Sequence, residues 1–380
     1  MLPPNYLIQD SYKSIDTDSG KWQPLPEQPH FLHPDFFKPI GITPCYTYSE
    51  EFYAAFSEHS APTQNHVIAM LVLEYMTIED KARLPLFGGA SKEYTAQVLP
   101  AIQEKLASTD TSEETLATKF HIMNCASQLG YLNHPDLFIN KRVVLVMVSL
   151  IGMDLRGAQL RNADLRQADF SGADLTAADF FNAKLQSSKF NYAVLNRTSF
   201  HQAWLWSADF SYAQMNCVDL YRARMVRVNL SHANLNRASL TEARMSAAIL
   251  VSTSFVCADF YRTNLHGVNL GGANLGMANL KEADLREAKL CKANLTWANL
   301  TGAQLQRTNL TLANLTETNL SEVNLEEANL SKAILMRTNL TGANLTGADF
   351  TGANLLYATL SNAITTKTVF ADVDFTHTTR

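Results

Sequence analysis

Side chains able to bind a metal or act as nucleophiles gather in the first third of the chain. His30 and His33 stand three apart, followed by His59 and His66. Two histidines on one helical turn could share a metal ion, but Pro29 and Pro34 bracket this pair and deny it a helix. No further ligand follows at metal-site spacing, so packed or solvated loop histidines are expected and no metal is assigned. Cys45 or Cys125 could pair with His121 or His134 as thiol and base. Nothing around them resembles a nucleophile signature, and buried cysteine is commonly inert. There is no Gly-rich phosphate loop, nucleophile elbow or kinase-type set of motifs. The expectation is a non-enzyme with no catalytic residue, no cofactor and no small-molecule substrate.

The elements that would carry any site fall into two parts. Residues 1–150 hold 10 Lys/Arg against 17 Asp/Glu, and residues 151–380 hold 21 against 19. All twelve prolines lie between Pro3 and Pro135; a residue without an N–H is excluded from a continuous ladder, so an architecture changes after them. Residues 1–45 carry most of the prolines and read as an extended arm. Residues 46–150 read as a small α-helical domain: Phe52 and Phe56 are four apart, and Val67, Ile68, Leu71 and Tyr75 share a face. Thr111 to Glu114 reads as a capping box before Leu116, Phe120 and Met123. Five scattered cysteines give no disulfide framework. The N-terminus lacks a basic start followed by an apolar run, and Val143–Ile151 is about half the length of a membrane span. Localisation in a bacterial cytoplasm is the expectation.

From Leu155 to Leu360 every fifth residue is Leu, Phe or Met, 42 in succession without insertion or deletion. Two places earlier stands a small residue, usually Ala, and one place earlier often Asn or Asp, as in GANLGMANLKEADL. A period of five suits neither a helix nor a flat strand. It suits a polygonal coil whose sides each send one large and one small side chain inward. In these residues the chain resembles the pentapeptide-repeat family. That resemblance implies a right-handed quadrilateral β-helix over residues 151–363, with four repeats closing each coil. The whole is then an α+β two-part chain. About ten coils at roughly 4.8 Å each would make a rod on the order of 50 Å. Phe170, Phe190 and Phe210 would then stack in one column, with Phe180 and Phe200 in another. Residues 364–380 read as a C-terminal cap or tail, with a homodimer edge as one use of it.

Individuality must lie at the outward positions. When every fourth repeat is aligned, one site carries Phe181, His201, Tyr221 and Tyr261, with Arg222 and Arg262 beside it. The next carries Trp204 and Trp206, then Arg224, Arg227 and Arg244; a further one carries Tyr192, Tyr212 and His232. Residues 181–265 hold nine Lys/Arg against four Asp/Glu. Trp, Tyr and Arg dominate interface hot spots, so these eleven residues of the first two sites form the candidate partner-binding set. A protein–protein scaffold or adaptor is the leading expectation, with a secreted bacterial effector, delivered into a host cell, as its specific version. The resemblance also suggests a topoisomerase-binding DNA mimic. That requires an acidic rod, and only Glu317, Glu322, Glu326 and Glu327 offer a strip. An N-terminal enzyme targeted by the rod is a further alternative. The basic count is too modest for a nucleic-acid surface, and membrane contact would be peripheral at most.

Overall fold

Turning a corner every five residues requires a backbone conformation that most side chains resist. The computed structural model describes residues 143–379, together with 106–112, 115, 116, 119 and 123. The chain divides into two compact units, Met1–Lys141 and Arg142–Arg380. The arm expected over residues 1–45, and the histidine and cysteine candidates up to His134, lie outside the described residues.

In the first unit, residues 106, 107, 115, 116, 119 and 123 are helical. The capping residue is Ser112 rather than Thr111. The Leu116 N–H donates to the Ser112 carbonyl at 2.9 Å and the Thr115 N–H to Ser112 Oγ at 3.4 Å. Asp110 settles the register, accepting from the Ser112 N–H at 2.9 Å and from Thr115 Oγ1 at 2.6 Å. Led by the Thr115 hydroxyl, these bonds hold the Asp110 carboxyl at about 2, below its ordinary 3.8. Leu106, Met123 and Lys119 are buried. Lys119 Nζ donates to the Ser108 carbonyl at 2.7 Å, and burial lowers its pKa.

The second unit is a parallel β-helix. Each five-residue side contributes one isolated parallel bridge, and each bridge joins positions 20 apart in sequence, from Val144↔Asp164 to Thr359↔Thr379. Four sides therefore close one coil. Taking Ala158 to Asn162 as one repeat, its positions are small inner, bridge, large inner, first corner and second corner. The inner positions are buried throughout the middle coils, each large side chain contributing about 1.5–3 kcal/mol. Phe170, Phe190 and Phe210 stack at 4.8 and 4.6 Å, and Phe180 on Phe200 at 4.9 Å, all within 6° of parallel. The two phenylalanine columns meet edge-on at 5.7–6.1 Å. Where Thr replaces Ala inside, its hydroxyl donates to a carbonyl of the preceding coil, as Thr198 does to Leu175 at 2.8 Å.

The bridge pattern runs past both expected boundaries, 151 and 363. Val143, Leu145, Val148 and Leu150 already face inward, so the apolar run is the inner set of the first sides. At the other end residues 364–379 make bridges of the same kind rather than a separate cap. Thr365 is no obstacle there, because inner positions of the last coil, Thr365, Phe370 and Phe375 included, are exposed or half-buried.

The backbone donors of a repeat go to four partners and one side chain. The large inner N–H donates to the bridge carbonyl of the next coil (Leu165 to Lys184, 2.7 Å), and the second-corner N–H to the next first corner (Gln167 to Gln186, 2.9 Å). The bridge N–H donates backward (Asp169 to Val148, 3.0 Å), and the small inner N–H closes the turn (Ala168 to Leu165, 3.1 Å). Only the first-corner N–H lacks a backbone partner. An Asn or Asp at the bridge position accepts it, as Asn294 accepts from Thr296 at 3.1 Å and Asp219 from Tyr221 at 2.9 Å. That is why the motif reads A-(D/N)-L.

The second corner is left-handed at every repeat from Met147 to His377, with φ between 53° and 70°. Positive φ at the third residue of a four-residue turn is the type II signature. Glycine occupies it at Gly347, φ 70°, where a Cβ would meet only Glu327 Cγ at 3.6 Å; space is not the limit there, the dihedral is. No Val, Ile, Thr or Pro stands at any of these corners.

Two outcomes follow. Ala177, at φ 59°, should tolerate Gly, whereas Ala177→Val should destabilise the coil by about 1–2 kcal/mol; urea denaturation of the two variants checks this. The helix start at Ser112 gains support from a depressed Asp110 pKa. That support is complete above pH 3.8 and lost as pH falls toward 2. The protection of the Ser112 amide, its exchange rate relative to that of an unstructured peptide at the same pH, should fall across this window in the native chain and stay flat in Asp110→Asn.

A candidate interaction face on the middle coils

Position within the four-sided coil decides which outward side chains meet. Phe181, His201, Tyr221 and Tyr261 occupy the first-corner column of one edge, with Arg222 and Arg262 in the second-corner column beside it. Trp204, Arg224 and Arg244 occupy the adjoining bridge column, linked by the parallel bridges Trp204↔Arg224 and Arg224↔Arg244. Trp206 and Arg227 lie on the next corner. All eleven candidates therefore sit on one side of the coil and its two edges. Tyr192, Tyr212 and His232 stack at 5.1 and 4.8 Å on a different corner.

Stacking is continuous only in part. Arg161 lies over Phe181 at 4.4 Å, Phe181 meets His201 at 5.4 Å, and His201 meets Tyr221 at 4.9 Å. Thr241 then interrupts the ladder before Tyr261. Arg222 lies over Tyr221 at 4.9 Å and Arg262 over Tyr261 at 4.8 Å. Arg224 lies over Trp204 at 4.3 Å, and Trp204 is 5.8 Å from Trp206. Trp206 is 44% exposed, a large apolar surface to leave in water.

The cations divide into two kinds. Arg222 pairs with Glu242 and Arg262 with Glu282, each at 2.7 Å and one coil apart. Glu242 and Glu282 raise these two arginine pKa values, and Arg262 lowers that of Glu282. No carboxylate lies in ion-pair range of Arg224, Arg227 or Arg244 among the described residues, nor of Lys184 in the same bridge column as Trp204. Sequence reasoning missed Lys184 and Arg161 as members of this face. A count of nine basic residues over 181–265 mixes neutralised cations with bare ones.

A second feature is missing from the sequence reading. In this bridge column the Asn/Asp rule fails in four successive coils, at Lys184, Trp204, Arg224 and Arg244, between Asp164 and Asn264. It is the longest such run among the described residues. The first-corner N–H groups it would have served, on Gln186, Trp206, Val226 and Ser246, have no acceptor among the described residues. The signal that could have found it is the departure from the rule.

Elsewhere the surface is neutralised only in part: among the described residues Glu322, Glu326, Arg197 and Arg237 also have no ion pair. In the C-terminal strip Glu317 pairs with Arg337 at 3.2 Å, and Arg307 bridges Glu287 and Glu327 at 3.4 and 3.2 Å. Cys217 and Cys257 are exposed, free thiols two coils apart. Among the described residues no His, Cys, Asp and Glu cluster could hold a metal, and no helix is long and apolar enough to cross a membrane.

Arg262→Ala should return the Glu282 carboxyl toward its ordinary 4.5. Side-chain carboxyl NMR against pH checks it, with Asp374, held low by Thr376, as the unmoved control.

Comparison with known proteins places this surface on a familiar scaffold. A family model described as pentapeptide repeats matches in eight copies over residues 148–180, 178–211, 205–241, 213–250, 238–276, 278–317 and 318–355. HetL, a pentapeptide repeat protein of a Nostoc cyanobacterium involved in heterocyst differentiation regulation, is 31% identical. The match covers 60% of this chain and 88% of HetL, at a TM-score of 0.30. Rfr23 from the cyanobacterium Cyanothece is 34% identical over 30% of this chain and 86% of its own, at a TM-score of 0.24. QnrB1, a plasmid-mediated fluoroquinolone resistance protein, is 16% identical over 43% of this chain and 81% of its own, at 0.35. Curated proteins give no significant match.

Proposed function

Since this chain belongs to the pentapeptide repeat family, we propose that it is a non-enzymatic protein–protein interaction scaffold whose partner docks on the Trp204/Trp206/Arg224 side of its middle coils. The observation that carries this is the gathering of Phe181, His201, Tyr221, two tryptophans and three arginines with no ion pair among the described residues on one side of a regular coil. Neighbours one coil away hold the stacked side chains in place. Preformed, rotor-poor side chains of these types bind with little entropy loss. The stacks also stabilise the coil itself, as cross-strand pairs do. That role does not require Trp206 to stay exposed, or Arg224, Arg227 and Arg244 to be without a carboxylate partner among the described residues. A DNA-mimic role is disfavoured by the ion pairs that neutralise Glu317 and Glu327. Delivery as an effector, and an adaptor role for residues 1–141, remain part of the proposal to be decided in cells.

A photo-crosslinking amino acid in place of Trp206 should capture a discrete protein from a lysate of the source cells. The same group in place of Leu312, exposed on another corner, should not, and adding Trp204→Ala with Arg224→Glu should abolish capture. Equal capture through both positions, or capture indifferent to the double substitution, rejects the assignment of the face.

A further inference from the structure

We infer that the Lys184–Arg244 column is a receptor for an extended acidic segment of a partner protein, read by its carboxylates; this rests on the protein-binding reading of the same face. Four coils in a row give up the Asn or Asp that the repeat uses to satisfy its own corner. Each loss forgoes an intrachain hydrogen bond at the corner N–H. The replacements, Lys184, Trp204, Arg224 and Arg244, add a second cost, because Arg224 and Arg244 face each other across a parallel bridge and like charges directly opposite repel. The fold holds the remedy in hand: Arg222 and Arg262 each meet a glutamate one coil on. On this column no such partner stands among the described residues.

The result is a surface richer in donors than in acceptors. It presents the cations of Lys184, Arg224, Arg244 and Arg227, and the N–H groups of Gln186, Trp206, Val226 and Ser246, which meet no protein acceptor among the described residues, beside one unpartnered acceptor, Gln186 Oε1. Only an acceptor-rich anion relieves both the charge and the open donors. Carboxylate fits the guanidinium fork in bidentate fashion and accepts from a backbone N–H as the absent Asp would have done.

Extent and surroundings favour a peptide over a nucleic acid. The column runs three coil spacings, about 14 Å at roughly 4.8 Å each. Asp164, paired with Arg166, ends the cationic run at one side and Asn264 at the other, a shorter track than the continuous basic groove that a nucleic-acid backbone follows. An extended chain places alternate side chains about 6.6–6.8 Å apart on one side, within reach of arginines stacked one coil apart. The expected ligand therefore carries Asp or Glu at two or more alternate positions, with an apolar or aromatic residue beside them to cover Trp206.

The full chain is panned against a displayed library of random dodecapeptides. Selected peptides and an octathymidylate are then labelled and titrated by fluorescence anisotropy near physiological salt. The expected result is enrichment of alternating acidic residues. Affinity should weaken about tenfold or more in Arg224→Glu/Arg244→Glu and stay unchanged in Arg307→Ala, whose arginine is already paired. Arg224→Gln/Arg244→Gln replaces the reversal should that variant fail to fold by circular dichroism. Neutral or basic winners, affinity indifferent to these substitutions, or tighter binding of the octathymidylate would overturn the inference. If the Trp206 crosslink still captures a protein while no acidic consensus emerges, the acidic-segment inference falls and the protein-binding reading stands; loss of both removes both.

Discussion

One backbone N–H in every five cannot reach another backbone group in this coil, and the side chain that accepts it organises the rest. The corner is tight because its second residue is left-handed, which aims the N–H of the first corner residue away from both neighbouring coils. An Asn or Asp oxygen two residues earlier turns back to meet it. With that donor satisfied, the sides can stack in parallel register, the inner Leu and Phe columns can close over one another, and the outer residues repeat once per coil. Coils then contact only coils, so stability accumulates from neighbour to neighbour as in other solenoids.

Much of this is legible in the residues alone. The phenylalanine columns follow from the five-residue period once four sides are granted, and the rings stack at 4.6–4.9 Å as that geometry requires. The left-handed corner is written there too, in the absence of β-branched residues from one outward position that tolerates Arg, Glu, Tyr and Trp. It is easily passed over, because what a position contains hides what it excludes. The helix cap is less legible. Thr111 with Glu114 fits the capping-box pattern by spacing, yet Ser112 serves, because the Asp110 carboxylate selects the register through contacts that spacing does not encode.

The face itself is legible as composition and not as electrostatics. Nine cations against four anions over 181–265 describes a weakly basic region. Resolved into pairs, it becomes a neutral margin at Arg222 and Arg262 and a column of cations at Lys184, Arg224 and Arg244 that meet no carboxylate among the described residues. The distinction lies between residues one full coil apart, invisible to any local window. The same column departs from the rule that satisfies the corner donor, so the side that gives up this hydrogen bond is also the one that gathers tryptophan and arginine. Natural proteins commonly concede local stability at such places.

Four-sided closure also constrains how such a chain can lengthen. Adding one repeat leaves every corner, core residue and hydrogen-bond type intact, yet it turns everything downstream by a quarter revolution. Lys184 and Arg244 would then look out from different walls. A contiguous face survives only insertions or deletions of whole coils, four repeats at a time. Length in this architecture is thus free in single repeats for the scaffold, and only in full turns for whatever is written on its side.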